Sequence, residues 1–235
     1  MPAPVSIVVP LYNELAGVPG LQQRLLPFVH AWQAERPVDL VLVDDGSRDG
    51  TGAALKPLGH APGVRVLTHA VNQGLTAALW TGITAAQGAV VAFLDSDLTY
   101  TPETLRPLVA LLDQGADVAL ASPYHPAGRV EGVPPRRLLL SKGLSQLYRW
   151  FVHPEVWTFT GMVRAWRRDV LLRCRPERGG FLGIAEMLLR ATADGARIAE
   201  HPAVLHTRQQ GQSKLRLAPT ILGHLDLLIR TTVQS

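Results

Sequence analysis

Short apolar runs rich in β-branched residues alternate with helical patterns through the first 121 residues, and this alternation limits the possible folds more than any other feature. The runs start at Val5, Val38, Val64, Ala89 and Asp117. Runs that are almost continuously apolar are typical of strands buried on both faces, and the intervening helices supply parallel crossovers. The sequence therefore predicts an α/β fold in which helices flank a mostly parallel, nucleotide-binding sheet.

The second half of the chain continues this pattern more weakly. In the first half we predict helices near residues 15–34, 51–58, 74–87 and 103–113. In the second half we predict helices at 136–152, 183–193 and 215–231, and extended segments at 162–167 and 197–207. Because the sequence contains no repeat and no obvious linker, we expect one domain over residues 1–235, in which segment 122–235 extends the sheet of segment 1–121.

Composition and charge exclude several classes of protein. Hydrophobic residues make up 47% of the chain and charged residues 18%, which is typical of a globular protein rather than a disordered one. The net charge of +4 is too small to indicate a nucleic acid partner. Cys174 has no partner for an internal disulfide and the Met-Pro start lacks a secretory leader, so we expect a cytoplasmic protein. No apolar run approaches the ~20 residues of a spanning helix, so any membrane contact is expected at the inner surface.

Two aspartates follow the fourth apolar run. Asp95 and Asp97 leave the predicted strand together, at the edge where open α/β sheets bind ligands. Mg²⁺ and Mn²⁺ prefer oxygen ligands and use only one or two carboxylates when they bridge a protein to a diphosphate. The pair is therefore a candidate metal site, although a turn or a cap on the helix near Pro102 would use the same residues.

The second apolar run ends in Asp44 and Asp45, and a glycine follows them. Acidic side chains at this position can accept hydrogen bonds from a base or a ribose, and glycine allows close approach of the backbone. The alternative is a turn in which Asp49 or Thr51 caps a short helix. With Glu14 after the first run, carboxylates at three strand ends would repel one another, so a cation or a donor-rich ligand is the better interpretation.

These strand-end motifs belong to an ordered set that extends along the chain. The set comprises Val5–Glu14, Val43–Ser47, Asn72–Gly74, Asp95–Asp97, Pro102-Glu103, Arg164–Val170, Gly180-Phe181 with Glu186, and Arg208 with Gly211–Lys214. It resembles family 2 inverting glycosyltransferases of the GT-A fold. The later motifs are similar to those of dolichol-phosphate mannose synthases and related polyprenyl-phosphate glycosyltransferases, and the resemblance covers nearly the whole chain.

The resemblance implies a role for each position. The residues that hold the donor nucleotide sugar would be Pro10, Tyr12, Glu14, Asp44, Asp45 and Ser96. Asp95 and Asp97 would hold a Mg²⁺ or Mn²⁺ ion on the donor diphosphate. The catalytic group would consist of Asp97, Glu186, Arg208 and Lys214. The two cations would lie on a loop that closes over the diphosphate and stabilises its departure.

Three positions depart from that family. Thr99 replaces a glutamine that assists the metal, and Pro123 replaces an arginine that lies near the lipid phosphate. Gly161-Met-Val163 replaces Ser-Gly-Phe on the acceptor side. We therefore expect the acceptor phosphate to bind other polar side chains, namely Arg129, Arg137 and Ser141, of which the last two match the family's arginine–serine pair at helical spacing.

Glu186 lies in a mostly apolar helical pattern, where an unpaired carboxylate is costly. It can act as the base for a hydroxyl acceptor, pair with an arginine, or lie at the surface. A phosphate acceptor is already ionised and needs no base. For such an acceptor we expect Glu186 to position other groups.

Two segments have an amphipathic helical pattern. Leu144, Tyr148 and Phe151 share one face of the first, and Lys142 lies on the opposite face. A similar apolar face recurs over residues 217–228. Such helices can lie at a bilayer surface or pack on the protein's own core.

The sequence therefore predicts a metal-dependent hexosyltransferase. Segment 1–121 would bind a GDP- or UDP-linked sugar, and segment 122–235 would bind a polyprenyl phosphate at the membrane surface. One alternative keeps the donor but uses a hydroxyl acceptor in glycan synthesis, as the changes at Pro123 and Gly161 suggest. A second alternative is a nucleotide-sugar-binding protein without transfer activity.

Overall fold

A computed structural model describes residues 2–132, 135–207 and 222–228, apart from the side chains of residues 135–137 and 140. Two of the predicted cations, Arg208 and Lys214, lie outside the described residues, as do the side chain of Arg137 and most of the predicted helix at 215–231. The remaining predicted site residues can all be located in the structure.

Nine strands form one large sheet and one small one within the described residues. Their bounds are β1 Val5–Leu11, β2 Val38–Asp44, β3 Val64–Thr68, β4 Val90–Phe93, β5 Val118–Ser122, β6 Arg129–Val130, β7 Arg164–Arg167, β8 Ile198–Pro202 and β9 Val204–Leu205. The large sheet has the order β3-β2-β1-β4-β7-β5-β8, and β6 pairs with β9. All neighbours in the large sheet are parallel except β7, which is antiparallel to both β4 and β5.

Helices connect the strands. Their bounds are α1 Val18–Gly20, α2 Leu26–Gln33, α3 Thr51–Leu55, α4 Leu75–Ala85, α5 Leu105–Asp113, α6 Pro135–Phe151, α7 Arg168–Arg173, α8 Gly180–Ala193 and α9 at residues 222–228. The helix predicted at 15–34 is divided by a 3₁₀ turn and a π turn, within a stretch that carries prolines and glycines. None of the helices in the described ranges is long and apolar enough to span a bilayer.

Apolar side chains on the two faces of the large sheet form two separate core clusters. Along β1, Ile7 and Val9 point into one cluster and Val8 into the other, and all three are fully buried. Each such burial stabilises the fold by about 1.5–3 kcal/mol. The prediction of a mostly parallel sheet covered on both faces is therefore confirmed.

Strand β7 joins the two halves of the chain. Arg164 lies opposite Phe93 of β4 on one side and Leu120 of β5 on the other, so a strand from segment 122–235 sits in the middle of the sheet. The extended segment predicted at 197–207 is divided into β8 and β9 by Ala203. The sequence did not predict β6 or α7, which are short and have no clear periodicity.

Candidate active site at the carboxyl edge of the sheet

Parallel strands β1, β2 and β4 end at the same edge of the sheet. Leu11 lies opposite Asp44, and Val8 lies opposite Phe93, so the chain leaves all three strands close together. The segments that follow contain the predicted donor and metal residues, which are Tyr12, Glu14, Asp45, Asp95, Ser96 and Asp97. Asp44 is the last residue of β2, and Pro10 is the last but one of β1. This is the edge at which open α/β sheets bind their ligands.

Two residues at this edge have a backbone conformation that side chains rarely adopt. Among the described residues, Asn13 with a φ of 49° and Leu98 with a φ of 50° are the non-glycine residues with a positive φ. Such a conformation costs about 1–3 kcal/mol and persists only where the surroundings enforce it. Leu98 is 6% exposed and packs in the core, which turns the chain so that Asp95 and Asp97 stay at the surface side of the loop.

The loops after β1 and β2 are tied together by hydrogen bonds. The amide of Asn13 donates to Ser47 Oγ at 2.8 Å, and the amide of Glu14 donates to Thr51 Oγ1 at 2.9 Å. Asp49 Oδ1 accepts from the amide of Thr51 at 3.0 Å. Burial acts to raise the pKa of Asp49, but hydrogen bonds from Thr51 and the amide of Leu15 outweigh it and lower the pKa. Asp49 and Thr51 therefore form the predicted turn, but neither side chain caps α3, whose N-cap is Gly50.

Asp45 is buried and its carboxylate is fully used within the protein. Its Oδ1 accepts from the amide of Gln73 at 2.8 Å and contacts His69 Nδ1 at 2.7 Å. Its Oδ2 accepts from the amide of Gly74 at 2.8 Å and from Asn72 Nδ2 at 2.7 Å. A carboxylate has about four acceptor positions, and four donors occupy them here. This geometry argues against the expected direct contact between Asp45 and the nucleoside and indicates that Asp45 holds the loop at residues 69–74.

Asp44 is equally buried, at 2% exposure, and accepts from the amide of Ser47 at 3.1 Å. A side chain on Gly52 would place its Cβ 2.4 Å from Asp44 Oδ2, so this position needs glycine. A Cβ on Gly46, whose φ is +68°, would lie 2.4 Å from the carbonyl carbon of Val71. Gly46 therefore allows the loops after β2 and β3 to approach each other, and Gly52 allows α3 to pack against the end of β2.

Asp95 and Asp97 are half-buried and lie in a tight turn. The amide of Leu98 donates to the carbonyl of Asp95 at 3.2 Å, and the amide of Thr99 donates to Asp97 Oδ1 at 3.1 Å. The carbonyl of Thr99 accepts from the amide of His206 at 2.9 Å, which anchors the turn to the segment after β9. No group of three or more His, Cys, Asp or Glu side chains suited to a metal occurs within the described residues.

The donor set at this turn fits a hard divalent cation. Asp95 and Asp97 offer carboxylate oxygens, and Mg²⁺ or Mn²⁺ takes most of its other ligands from water and from substrate phosphates. The turn held by Leu98 keeps both carboxylates at the edge of the sheet. Two protein carboxylates are enough for an ion that arrives with a diphosphate.

Two tyrosines link this turn to the predicted acceptor side. Tyr100 is 4% exposed, and burial raises its pKa well above the ordinary value, with further contributions from Asp95 and Tyr124 nearby. Tyr124, after β5, donates its hydroxyl hydrogen to Ser141 Oγ on α6 at 2.7 Å. Tyr124 and the candidate metal turn follow β5 and β4, which end at the same edge of the sheet on either side of β7. Arg129 is exposed on β6, where its amide pairs with the carbonyl of Ala203.

A buried polar network supports the wall between α6 and β7, and the sequence did not predict it. Glu200 accepts from the amides of Trp157 and Thr158, both at 2.9 Å, and burial raises its pKa. Arg164 donates to the carbonyls of Ile184, at 2.7 Å, and Phe159. Burial lowers the pKa of Arg164 to about 9. The Arg164 motif was visible in the sequence, but only its partners reveal that it fixes the wall and α8.

Glu186 is 6% exposed and has partners for both oxygens. Its Oε2 accepts from the amides of Glu177 and Arg178 at 3.0 and 2.8 Å. Its Oε1 accepts from the guanidinium of Arg190 at 2.8 Å. Arg178 in turn contacts Asp226 of α9 at 2.6 Å. A base needs an oxygen that can receive a proton from the substrate, so this arrangement argues for the positioning role and against general-base catalysis.

The amphipathic pattern of α6 divides between the core and the surface. Leu144 and Tyr148 are buried, and Tyr148 Oη contacts His224 of α9 at 2.8 Å. Packing on the protein's own core is therefore the role of Leu144 and Tyr148, whereas Phe151, which the sequence placed on the same face, is 61% exposed. The opposite face exposes Leu139 and Trp150, at 74% and 71%.

A mostly parallel sheet with acidic side chains at the carboxyl ends of neighbouring strands defines an α/β protein of the GT-A fold. The sequence profile described as glycosyl transferase family 2 matches residues 6–174. The chain belongs to this family, and the resemblance noted in the sequence is confirmed.

Curated relatives cover nearly the whole chain. A polyprenol monophosphomannose synthase of Mycolicibacterium smegmatis is 33% identical over 89% of this chain and 80% of its own length. A dolichol-phosphate mannosyltransferase of Pyrococcus furiosus is 29% identical over 96% of this chain. An undecaprenyl-phosphate 4-deoxy-4-formamido-L-arabinose transferase of Shewanella sediminis is 33% identical over 97% of this chain. The chain spans 63% and 66% of the lengths of the latter two.

Solved structures confirm the fold. The glucosyl-3-phosphoglycerate synthase of Mycobacterium tuberculosis matches 99% of this chain and 79% of its own with a TM-score of 0.69 at 20% identity. A mannosyltransferase of Pyrobaculum calidifontis, solved in complex with GDP-Man and Mn²⁺, matches 100% of this chain and 65% of its own with a TM-score of 0.67 at 19% identity.

Proposed function

We propose that this protein transfers a hexose from a nucleotide diphosphate sugar to a polyprenyl phosphate, with inversion at the anomeric carbon. The observation that carries the proposal is the meeting of the loops after β1, β2 and β4 at one edge of the sheet, where β5 also ends two residues before Tyr124. The polyprenyl-phosphate relatives among the family 2 enzymes support the acceptor class.

The donor nucleoside binds between the loops after β1 and β2. Tyr12, Glu14 and Asp44 line this edge, and Asp45 contributes by holding the loop at residues 69–74. Ser96 lies between the two metal carboxylates, next to the donor diphosphate. Neither GDP nor UDP is preferred by these contacts, since both carry the same ribose and diphosphate.

Asp95 and Asp97 hold a Mg²⁺ or Mn²⁺ ion, which supplies positive charge to the diphosphate of the donor. A solved structure of the same fold contains Mn²⁺ together with GDP-Man, which supports a divalent metal as a partner of the donor. Asp97 is held by the amide of Thr99 and so keeps a fixed orientation. Arg208 and Lys214 add further positive charge as the diphosphate leaves.

The reaction is a single displacement. An oxygen of the acceptor phosphate forms the bond to the anomeric carbon, and the bond from that carbon to the diphosphate oxygen breaks with its electrons on the nucleoside diphosphate. No proton has to be removed from an ionised phosphate, which agrees with the occupied oxygens of Glu186. A hydroxyl acceptor would need a base, and Glu186 is not arranged to serve as one.

The exposed face of α6 meets the membrane. Leu139 and Trp150 lie on this face, Lys142 is beside them, and a helix with exposed apolar and aromatic residues next to basic ones can lie at a bilayer surface. This contact brings Ser141 to the depth of a lipid phosphate. The protein thus acts as a cytoplasmic enzyme that works from the inner face of the membrane, with residues 1–235 as one catalytic domain.

The test is a transfer assay with purified protein, radiolabelled GDP- and UDP-sugars, Mg²⁺ or Mn²⁺, and liposomes that contain polyprenyl phosphate. We expect label in the lipid extract, and no label after addition of a chelator. Transfer to a soluble glycan, with no labelled lipid from any donor, would refute the proposed acceptor. Donor binding without any transfer would support the alternative of a binding protein.

A further inference from the structure

A phenol, a hydroxyl and an ammonium group lie together where β5 meets α6. Tyr124 Oη is 2.7 Å from Ser141 Oγ, and the Nζ atom of Lys142 is 6.0 Å from the centre of the Tyr124 ring. Among the basic side chains that the structure describes, Lys142 is the one placed over this ring. The preceding residue, Pro123, is buried and carries no charge.

The direction of the hydrogen bond prepares Ser141 to donate. Because Tyr124 gives its hydrogen to Ser141 Oγ, the hydrogen of Ser141 is directed to a different acceptor. The ammonium group of Lys142 has three hydrogens and a long, flexible stem, and its side chain is exposed. Two donors of this kind, one of them charged, suit a phosphate oxygen.

The location of this pair connects it to the donor site. Tyr124 is close enough to Tyr100 to influence it electrostatically, and so is Asp95 of the candidate metal turn. Strands β4 and β5 also end at the same edge, because Phe93 and Leu120 both lie opposite Arg164 of the intervening β7, so a phosphate at Ser141 and Lys142 would lie on the donor side of the sheet. By contrast, Arg129 lies on β6. The residue after this strand is Glu131, whose Oε2 is 3.1 Å from His206 Nδ1.

We infer that Lys142 binds the phosphate of the acceptor and supplies the positive charge that Pro123 does not. This inference rests on the proposed function, and it names a residue of the acceptor site that sequence comparison had not indicated. Lys142 does not contact the donor, so its loss raises the KM for the acceptor and leaves the affinity for the donor nucleotide unchanged.

The experiment compares Lys142→Gln and Lys142→Arg with the wild type. Lys56→Gln is the matched control, because Lys56 is an exposed lysine on the turn before β3. Initial rates are measured with a water-soluble, short-chain prenyl phosphate in the absence of any bilayer. Donor affinity is measured separately by titration with the nucleoside diphosphate and Mn²⁺, and binding to anionic phospholipid vesicles is measured by sedimentation.

We expect Lys142→Gln to raise the KM for the soluble prenyl phosphate about tenfold, which corresponds to one charge-assisted hydrogen bond. Lys142→Arg and Lys56→Gln should stay within about threefold of the wild type, since both keep the charge at position 142. An unchanged KM for the soluble acceptor, with weaker binding to vesicles alone, would overturn the inference in favour of general attraction to the membrane. A wild-type protein that fails to transfer to any prenyl phosphate would instead refute the proposed function.

Discussion

Replacing Asp45 by Asn tests whether this carboxylate holds the loop at residues 69–74 or contacts the nucleoside. Each carboxylate oxygen of Asp45 accepts two hydrogen bonds. In Asn an NH₂ group replaces one of these oxygens, and its hydrogens then face two other N–H groups that donate. Asp45 is 2% exposed, and each unsatisfied buried group costs about 1–3 kcal/mol. We therefore expect Asp45→Asn to lower the free energy of unfolding by about 2–5 kcal/mol.

The assay is urea unfolding followed by circular dichroism, with nucleoside diphosphate titration on the folded variant. Asp169→Asn serves as the control, since Asp169 is exposed in the first turn of α7. A free energy of unfolding within about 0.5 kcal/mol of the wild type would refute the loop-holding role. If stability stayed unchanged while nucleotide affinity fell a hundredfold, a direct contact between Asp45 and the nucleoside would be the correct interpretation.

Three further predictions address the metal site, Glu186 and the docking of α9. Asp97→Asn should abolish the Mn²⁺-dependent rise in melting temperature that a nucleoside diphosphate produces, because the substitution removes a charged ligand of the metal. A thermal-shift titration with and without Mn²⁺ measures this rise, and an undiminished rise in the variant would count against the metal site. Glu186→Gln should lower stability by about 2–3 kcal/mol, because the side-chain nitrogen of Gln cannot accept the hydrogen bonds that one oxygen of Glu186 receives, while the pH profile of kcat keeps its shape. Loss of an ionisation from that profile would restore Glu186 as a base. Burial lowers the pKa of His224 to about 4 from 6.5, so the unfolded chain takes up a proton first as the pH falls. The free energy of unfolding should therefore drop by about 2 kcal/mol between pH 7 and pH 5, and His224→Gln should remove that pH dependence in denaturant melts. If the free energy of unfolding of the variant fell with pH as steeply as that of the wild type, His224 would not be the group responsible.

Much of the fold was predictable from local patterns. The runs that begin at Val5, Val38 and Val64 became β1, β2 and β3, because continuous apolar runs between helices have few alternatives to a buried parallel sheet. The two-residue strand β6 was not predictable, since pairing with β9 and not its own sequence makes it a strand. The same holds for the antiparallel direction of β7, which depends on a connection through α6.

The candidate site was predictable in its location but only partly in its roles. Asp44, Asp95 and Asp97 could be assigned to one edge because the carboxyl ends of parallel strands coincide there. The roles of Asp45 and Glu186 depended on donors from distant segments, and no spacing rule brings those donors together. Glu200 went unrecognised, and the role of Arg164 stayed hidden, for the same reason: their partners are backbone groups of other elements.

The sequence by itself determined the family, the parallel sheet and the edge at which the acidic side chains gather, because apolar periodicity and short motifs act over a few neighbouring residues. Only the tertiary structure decided which carboxylates remain available to a ligand. Asp45 and Glu186 each have their oxygens occupied by the protein, whereas Tyr124, Ser141 and Lys142 lie together where β5 meets α6. Hydrogen-bond capacity is limited at every oxygen, and the fold determines whether protein or substrate fills it.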